Sequence, residues 1–205
     1  MTQGARGGAT SAGADWRGVA LASIAVWWVF TTIGIATVTL PAQVVTRLGY
    51  TETALGAAAL AFGASTVAAR LVFSPVLPRF SLWRVSAIGT TVYAGALALT
   101  PLAADLTEVI LLRIAAGSAE GIFYLAAASA ISAAVPESSR GRALSYLSVG
   151  LFAGIAVGPY VGNLLRRAGG VELAWAVAAV FALAATAMVI TRVRRPAVSA
   201  EPAET

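Results

Sequence analysis

No cysteine, no histidine and no lysine occurs anywhere in this chain of 205 residues. Without thiols or imidazoles there can be no disulfide, no Cys/His metal site and no Ser-His or Cys-His nucleophile pair. Charge of either sign is scarce: charged residues make up 11% and apolar ones 59%, against roughly 25% and 45–50% in an ordinary soluble domain. Lipid is the natural solvent for such a composition. The net charge of +5 comes entirely from arginine, and in so apolar a chain it marks one membrane face rather than a nucleic-acid surface. An intramembrane hydrolase is excluded by the residues present, since Asp15 and Asp105 lie outside the apolar runs and no histidine exists to serve a serine. No metal and no cofactor is expected.

A spanning helix needs roughly 20 mostly apolar residues. Six stretches qualify: 18–40, 53–69, 85–102, 106–135, 143–165 and 173–191. All but the fourth are free of charge, and of the eight prolines only Pro159 falls within one, the others lying at or beyond the ends of the runs. The fold expected is therefore an all-α integral membrane bundle of six helices over residues 17–193, flanked by polar tails at 1–16 and 194–205 that read as disordered. The first run is too long for a secretory signal and lacks a small-residue cleavage site. With the N-terminus inside, the cytoplasmic pieces collect ten arginines, Arg70, Arg79, Arg84, Arg140 and Arg142 among them, and the outer pieces three, so both termini are expected in the cytoplasm of a cell-membrane protein. Trp16, Trp83 and Trp175 fall where an interfacial aromatic belt belongs.

In the fifth run, "GLFAGIAVGPYVG", Gly150, Gly154, Gly158 and Gly162 recur every fourth residue and form one face that another backbone can approach. Pro159 offers no N–H to the carbonyl of Ile155, so a bend or hinge is expected at Gly158-Pro159. A static packing face is the alternative. This segment resembles the fifth-helix antiporter motif of the major facilitator superfamily, with Gly158, Pro159 and Gly162 as its Gly-Pro-x-x-Gly ending. "PESSRGRALSY" before it is similar to the family's loop between helices four and five, and "RIAAGSAEG", with Arg113 and Gly117, to its fourth-helix motif. The resemblance implies two three-helix inverted repeats forming half of a twelve-helix transporter, with helices one, two, four and five at the cavity. In "SPVLPRFSLWR", Arg79 and Arg84 keep the basic positions of the family's loop between helices two and three. Pro78, however, stands where the family has an aspartate that latches its two halves.

Glu120 lies midway along the fourth run, where a carboxyl group costs at least a few kcal/mol and by default faces a partner or a watery cavity. It is the candidate proton carrier, with a protonated structural acid as the alternative. Arg113 is two turns earlier on the same face. Snorkelling to the headgroups and a cavity role are both open for it, and the resemblance implies proton coupling. Trp27, Trp28, Thr31 and Thr32 in the first run, with Tyr124 four residues after Glu120, could wall a cavity for an organic compound. Helix packing is the alternative for the tryptophans. Tyr124 could also hydrogen-bond to Glu120. The third and sixth runs, nearly all aliphatic, are expected to face lipid. Taken together, these residues and the resemblance imply proton-coupled efflux of a small amphipathic or hydrophobic compound by a six-helix half. Its partner would be a second copy, a separate chain or a continuation of this one. A structural or regulatory membrane protein without transport activity is the alternative.

Overall fold

The computed structural model describes residues 15–193; the tails expected to be disordered lie outside the described residues, except that Asp15 and Trp16 already belong to the bundle. Asp15 caps the first helix, α1 (Trp16–Pro41), by accepting the backbone N–H of Gly18 at 2.9 Å. Pro41 does not end the run. With one backbone donor missing there, the helix widens into a π turn over Ala42–Arg47, whose last bond runs from Leu48 N–H to the Gln43 carbonyl. The chain reverses through Gly49, which holds a φ of 74° that side chains rarely adopt, and enters α2 (Glu52–Phe73), capped by Thr51.

A short turn at Leu77–Arg79 leads to α3 (Leu82–Leu99), and α4 (Leu106–Ala134) follows, with Asp105 as its cap. The final stretch, Arg140–Val193, is helical throughout except at Gly169 and Gly170, where φ is −157° and 77°. That break divides it into α5 (140–168) and α6 (171–193). No strand occurs among the described residues. Five helical runs are long and apolar enough to cross a membrane, the last being the 56-residue Glu137–Arg192. Unbroken, it would reach about 84 Å at 1.5 Å per residue, against a hydrocarbon core of about 30 Å; the glycine break lets it cross twice.

Cross-helix contacts give the directions. Gly150 meets Ser23 and Gly162 meets Val38, so α5 runs parallel to α1. Trp175 reaches Gln43 and Arg192 reaches Asp15, so α6 runs antiparallel to it. Tyr93 bonds to Thr32, and the carbonyl of Thr100 accepts from Gln43, so α3 is again parallel to α1. The start of α1 touches the end of α4 through Asp15 N–H to the Ala134 carbonyl. These are the directions of a six-pass bundle, and its two main seams, α1 on α5 and α4 on α2, exchange if residues 16–102 and 106–193 are related as inverted repeats.

The least buried span is α2, with 17% of its apolar window inside the bundle against 44% for α3. One expectation is corrected by the packing. Trp175 lies at a helix end, as a belt residue should, but it is turned inward and fully buried, donating its indole N–H to Gln43 Oε1 at 2.6 Å. Gln43 in turn donates to the Thr100 carbonyl. One amide in the π turn thereby ties α1, the end of α3 and the start of α6.

Candidate functional site

The charged centre of the bundle lies where α4 meets α2. Thr66 donates its hydroxyl to the Gly117 carbonyl at 3.0 Å, and Gly117 and Gly121 have no Cβ, which lets α4 settle against the backbone of Phe62 and Thr66. One turn along the seam, Glu120 is 1% exposed, and Arg70 Nη2 donates to its Oε1 at 3.0 Å and its Oε2 at 3.3 Å. An ionised acid in lipid needs such a counter-charge. Arg70 was counted above among the loop arginines. In the structure it belongs to the last turn of α2 and points along the seam into the protein.

Tyr124 is not bonded to Glu120. Its ring instead underlies the Arg70 guanidinium at 4.9 Å and meets the Phe30 ring edge-on at 5.7 Å. Tyr124 therefore touches the acid's partner rather than the acid. Arg113 is buried, stacks on the Phe62 ring at 4.2 Å, and is in no ion pair among the described residues. Its Nε is also without a hydrogen-bond partner there. The seam thus holds one paired guanidinium and one unpaired one.

The remaining cavity candidates on α1 divide. Trp27 and Trp28 tilt against each other at 4.8 Å, but Trp28 turns to Phe181 of α6 at 4.5 Å while Trp27 faces an open groove. Thr31 and Thr32 are fully buried, with hydroxyls bonded to the carbonyls of Trp27 and Val29 and Thr32 also bonded to Tyr93 Oη at 2.7 Å. Their hydrogen bonds are spent inside the bundle.

Along α5 the four glycines seat α1. A Cβ on Gly150 would stand 2.5 Å from the Ser23 carbonyl oxygen, one on Gly154 2.7 Å from that of Trp27, and one on Gly162 2.6 Å from a Val38 methyl. Gly158 meets Gly34 glycine to glycine. The backbone keeps helical dihedrals through Gly158-Pro159, the only non-helical ones of the stretch being at Gly169 and Gly170. Gly34 on α1 leaves room there for the Pro159 ring and for the carbonyl of Ile155 that the ring deprives of a donor.

At the end of the bundle where α1 begins, Arg79 and Arg84 are exposed, Arg140 donates to the Ser132 carbonyl at 3.1 Å, and Arg142 lies over the Trp16 ring at 4.3 Å. At the opposite end Arg47 pairs with Glu172 at 2.9 Å, and Arg166 donates to the Val38 carbonyl. Beside Arg142 opens a groove of about 620 Å³ between α1 and α5, walled by Trp16, Ser23, Trp27, Tyr146, Gly150 and Ala153 among others. Arg70, Gln43 and this groove are what sequence reasoning missed; an arginine or amide at the end of an apolar run carries no sign of pointing inward.

The family model of the Major Facilitator Superfamily matches residues 22–205. No curated protein matches the chain.

Proposed function

The chain belongs to the major facilitator superfamily, a family of membrane transporters, and on that premise we propose that it is the six-helix half of a proton-coupled exporter of small amphipathic or hydrophobic compounds. The observation that carries the proton role is the sealed Glu120 held by Arg70 alone among the described ion pairs. A proton arriving on Glu120 cancels its charge and frees Arg70, and losing the proton restores the pair. The seam therefore has two arrangements that differ by one proton, which is what alternating access needs at its coupling site. Arg113, a second buried cation, on the same helix as Glu120 and in no ion pair among the described residues, favours a negatively charged occupant.

A second six-helix bundle completes the cavity in this reading, because one bundle presents its α2 face and its groove to the outside and encloses nothing. The arginine-rich end faces the cytoplasm of the cell membrane. Flux in inverted vesicles, with an imposed pH gradient and a panel of fluorescent amphiphiles of either charge, tests the proposal. Glu120→Gln keeps the fold and the insertion and abolishes gradient-driven movement. Undiminished flux in that variant removes the role assigned to Glu120. Pro78, in the exposed turn where a latching aspartate would stand, favours a second reading, a membrane protein without transport. Absence of flux from the unaltered chain, in a complex shown by its mass to contain two bundles, would establish that reading.

A further inference from the structure

The groove between α1 and α5 has a chemistry that selects among amphiphiles. Its walls are aromatic and aliphatic, with Trp16 and Tyr146 meeting edge-on at 6.3 Å near one end and Trp27 and Ala153 toward the other. Gly150 closes the floor, because its lack of a side chain brings α5 onto the backbone of Ser23. No acid lines it. The acid next to it in the chain, Asp15, is already engaged by Arg192 and by the N–H of Gly18. At the Trp16 end stands Arg142, exposed, over the indole ring, and in no ion pair among the described residues. Arg17 is exposed at the same helix end, also outside those pairs.

We propose that this groove binds a single-tailed amphiphile with an anionic head, of the fatty-acid type, its tail along the wall toward Trp27 and its carboxylate at Arg142. This rests on the transporter reading and names its substrate class. The volume of about 620 Å³ falls within the range of roughly 300–1,000 Å³ of small-ligand sites. An apolar tail gains there by leaving water. The charge at the mouth decides the head group: a lipophilic cation meets Arg142 and Arg17, whereas a carboxylate takes a charge-assisted bond from a guanidinium that is in no ion pair among the described residues.

The test is quenching of tryptophan fluorescence in the full chain, in nanodiscs of zwitterionic lipid, by ω-bromododecanoate, whose bromine rides at the tail tip. Saturable quenching is expected, and it is largely lost in Trp27→Phe. Arg142→Gln, a change at an exposed position, weakens apparent binding about tenfold, and Arg142→Lys retains most of it. The matching ω-bromododecyltrimethylammonium quenches only at far higher concentration. Equal quenching by the cation, or indifference to Arg142→Gln, overturns the anionic assignment. Displacement of the fatty acid by a two-tailed anionic phospholipid at equal concentration assigns the groove to bilayer lipid, and absence of saturable quenching means that another helix covers it; either outcome overturns the proposal. Binding is read with no proton gradient imposed, so a failure of Glu120 coupling leaves this result standing, and a failure here leaves the coupling intact.

Discussion

Where α5 meets α1, glycines let one backbone rest on another, and the contact contains no ion pair; where α4 meets α2, glycines again bring the helices close, but the space between them holds a threonine, an arginine and a buried glutamate. These seams would be counterparts if residues 16–102 and 106–193 are related as inverted repeats, yet they are built differently. The first holds no ion pair among the described residues and gains from dispersion along a close backbone contact. The second depends on a charge pair that a single proton can dissolve. In the transport reading proposed above, the first would serve as an unchanging spine and the second as the coupling point.

The comparison can be broken most forcefully at the spine. Gly154→Leu drives a side chain into the backbone of Trp27 and Thr31, and overpacking of this kind costs about 3 kcal/mol or more. The expected outcome is loss of most folded protein, seen as reduced abundance and a collapsed elution profile in mild detergent. Gly56→Leu on α2 sharpens the point, since a Cβ there meets nothing within 4 Å; its thermal midpoint should match that of the parent chain.

At the coupling seam, Arg70→Ala leaves Glu120 buried without its counter-charge. Removing one member of a buried pair costs about 3–5 kcal/mol. The Arg70 side chain is 37% exposed, so about 2–3 kcal/mol is expected after allowing for solvent screening. The double variant Arg70→Ala/Glu120→Gln should recover most of the loss in a thermal melt, and failure to recover would show that Arg70 acts by packing on Tyr124 instead. Thr66→Val removes one hydrogen bond to the Gly117 carbonyl and should cost about 1 kcal/mol, a small downward shift in the same melt.

The glycine spine was legible in the sequence because a four-residue period reads directly as one helix face. Glu120 was legible because a carboxylate within an apolar run has few meanings. Its partner was not: Arg70 stands at the end of α2, where arginine ordinarily marks a membrane face, and only the inward course of its side chain reveals the pair. Gln43 was hidden for a similar reason, two residues past a proline that reads as a stop but leads into a π turn. What Pro159 packs against was not legible either: Gly34, which leaves room for its ring, lies in a different span. Exposure of α2 could not be read from composition, which says how apolar a helix is but not what covers it.

The distances along the chain between these contacts also set an order of assembly. The bonds that join α2 to α4 link residues 50 and 51 positions apart, whereas those that fasten α1 to α5 and α6 span 128 and 132. As the chain emerges from the ribosome N-terminus first, the charged seam can close while the seat of α1 has yet to be synthesised. Of the contacts of α1, those to α3 span 57 and 61 positions and can form early, those to α5 and α6 come last, and its capping residue, Asp15, receives Arg192 only once α6 has been made.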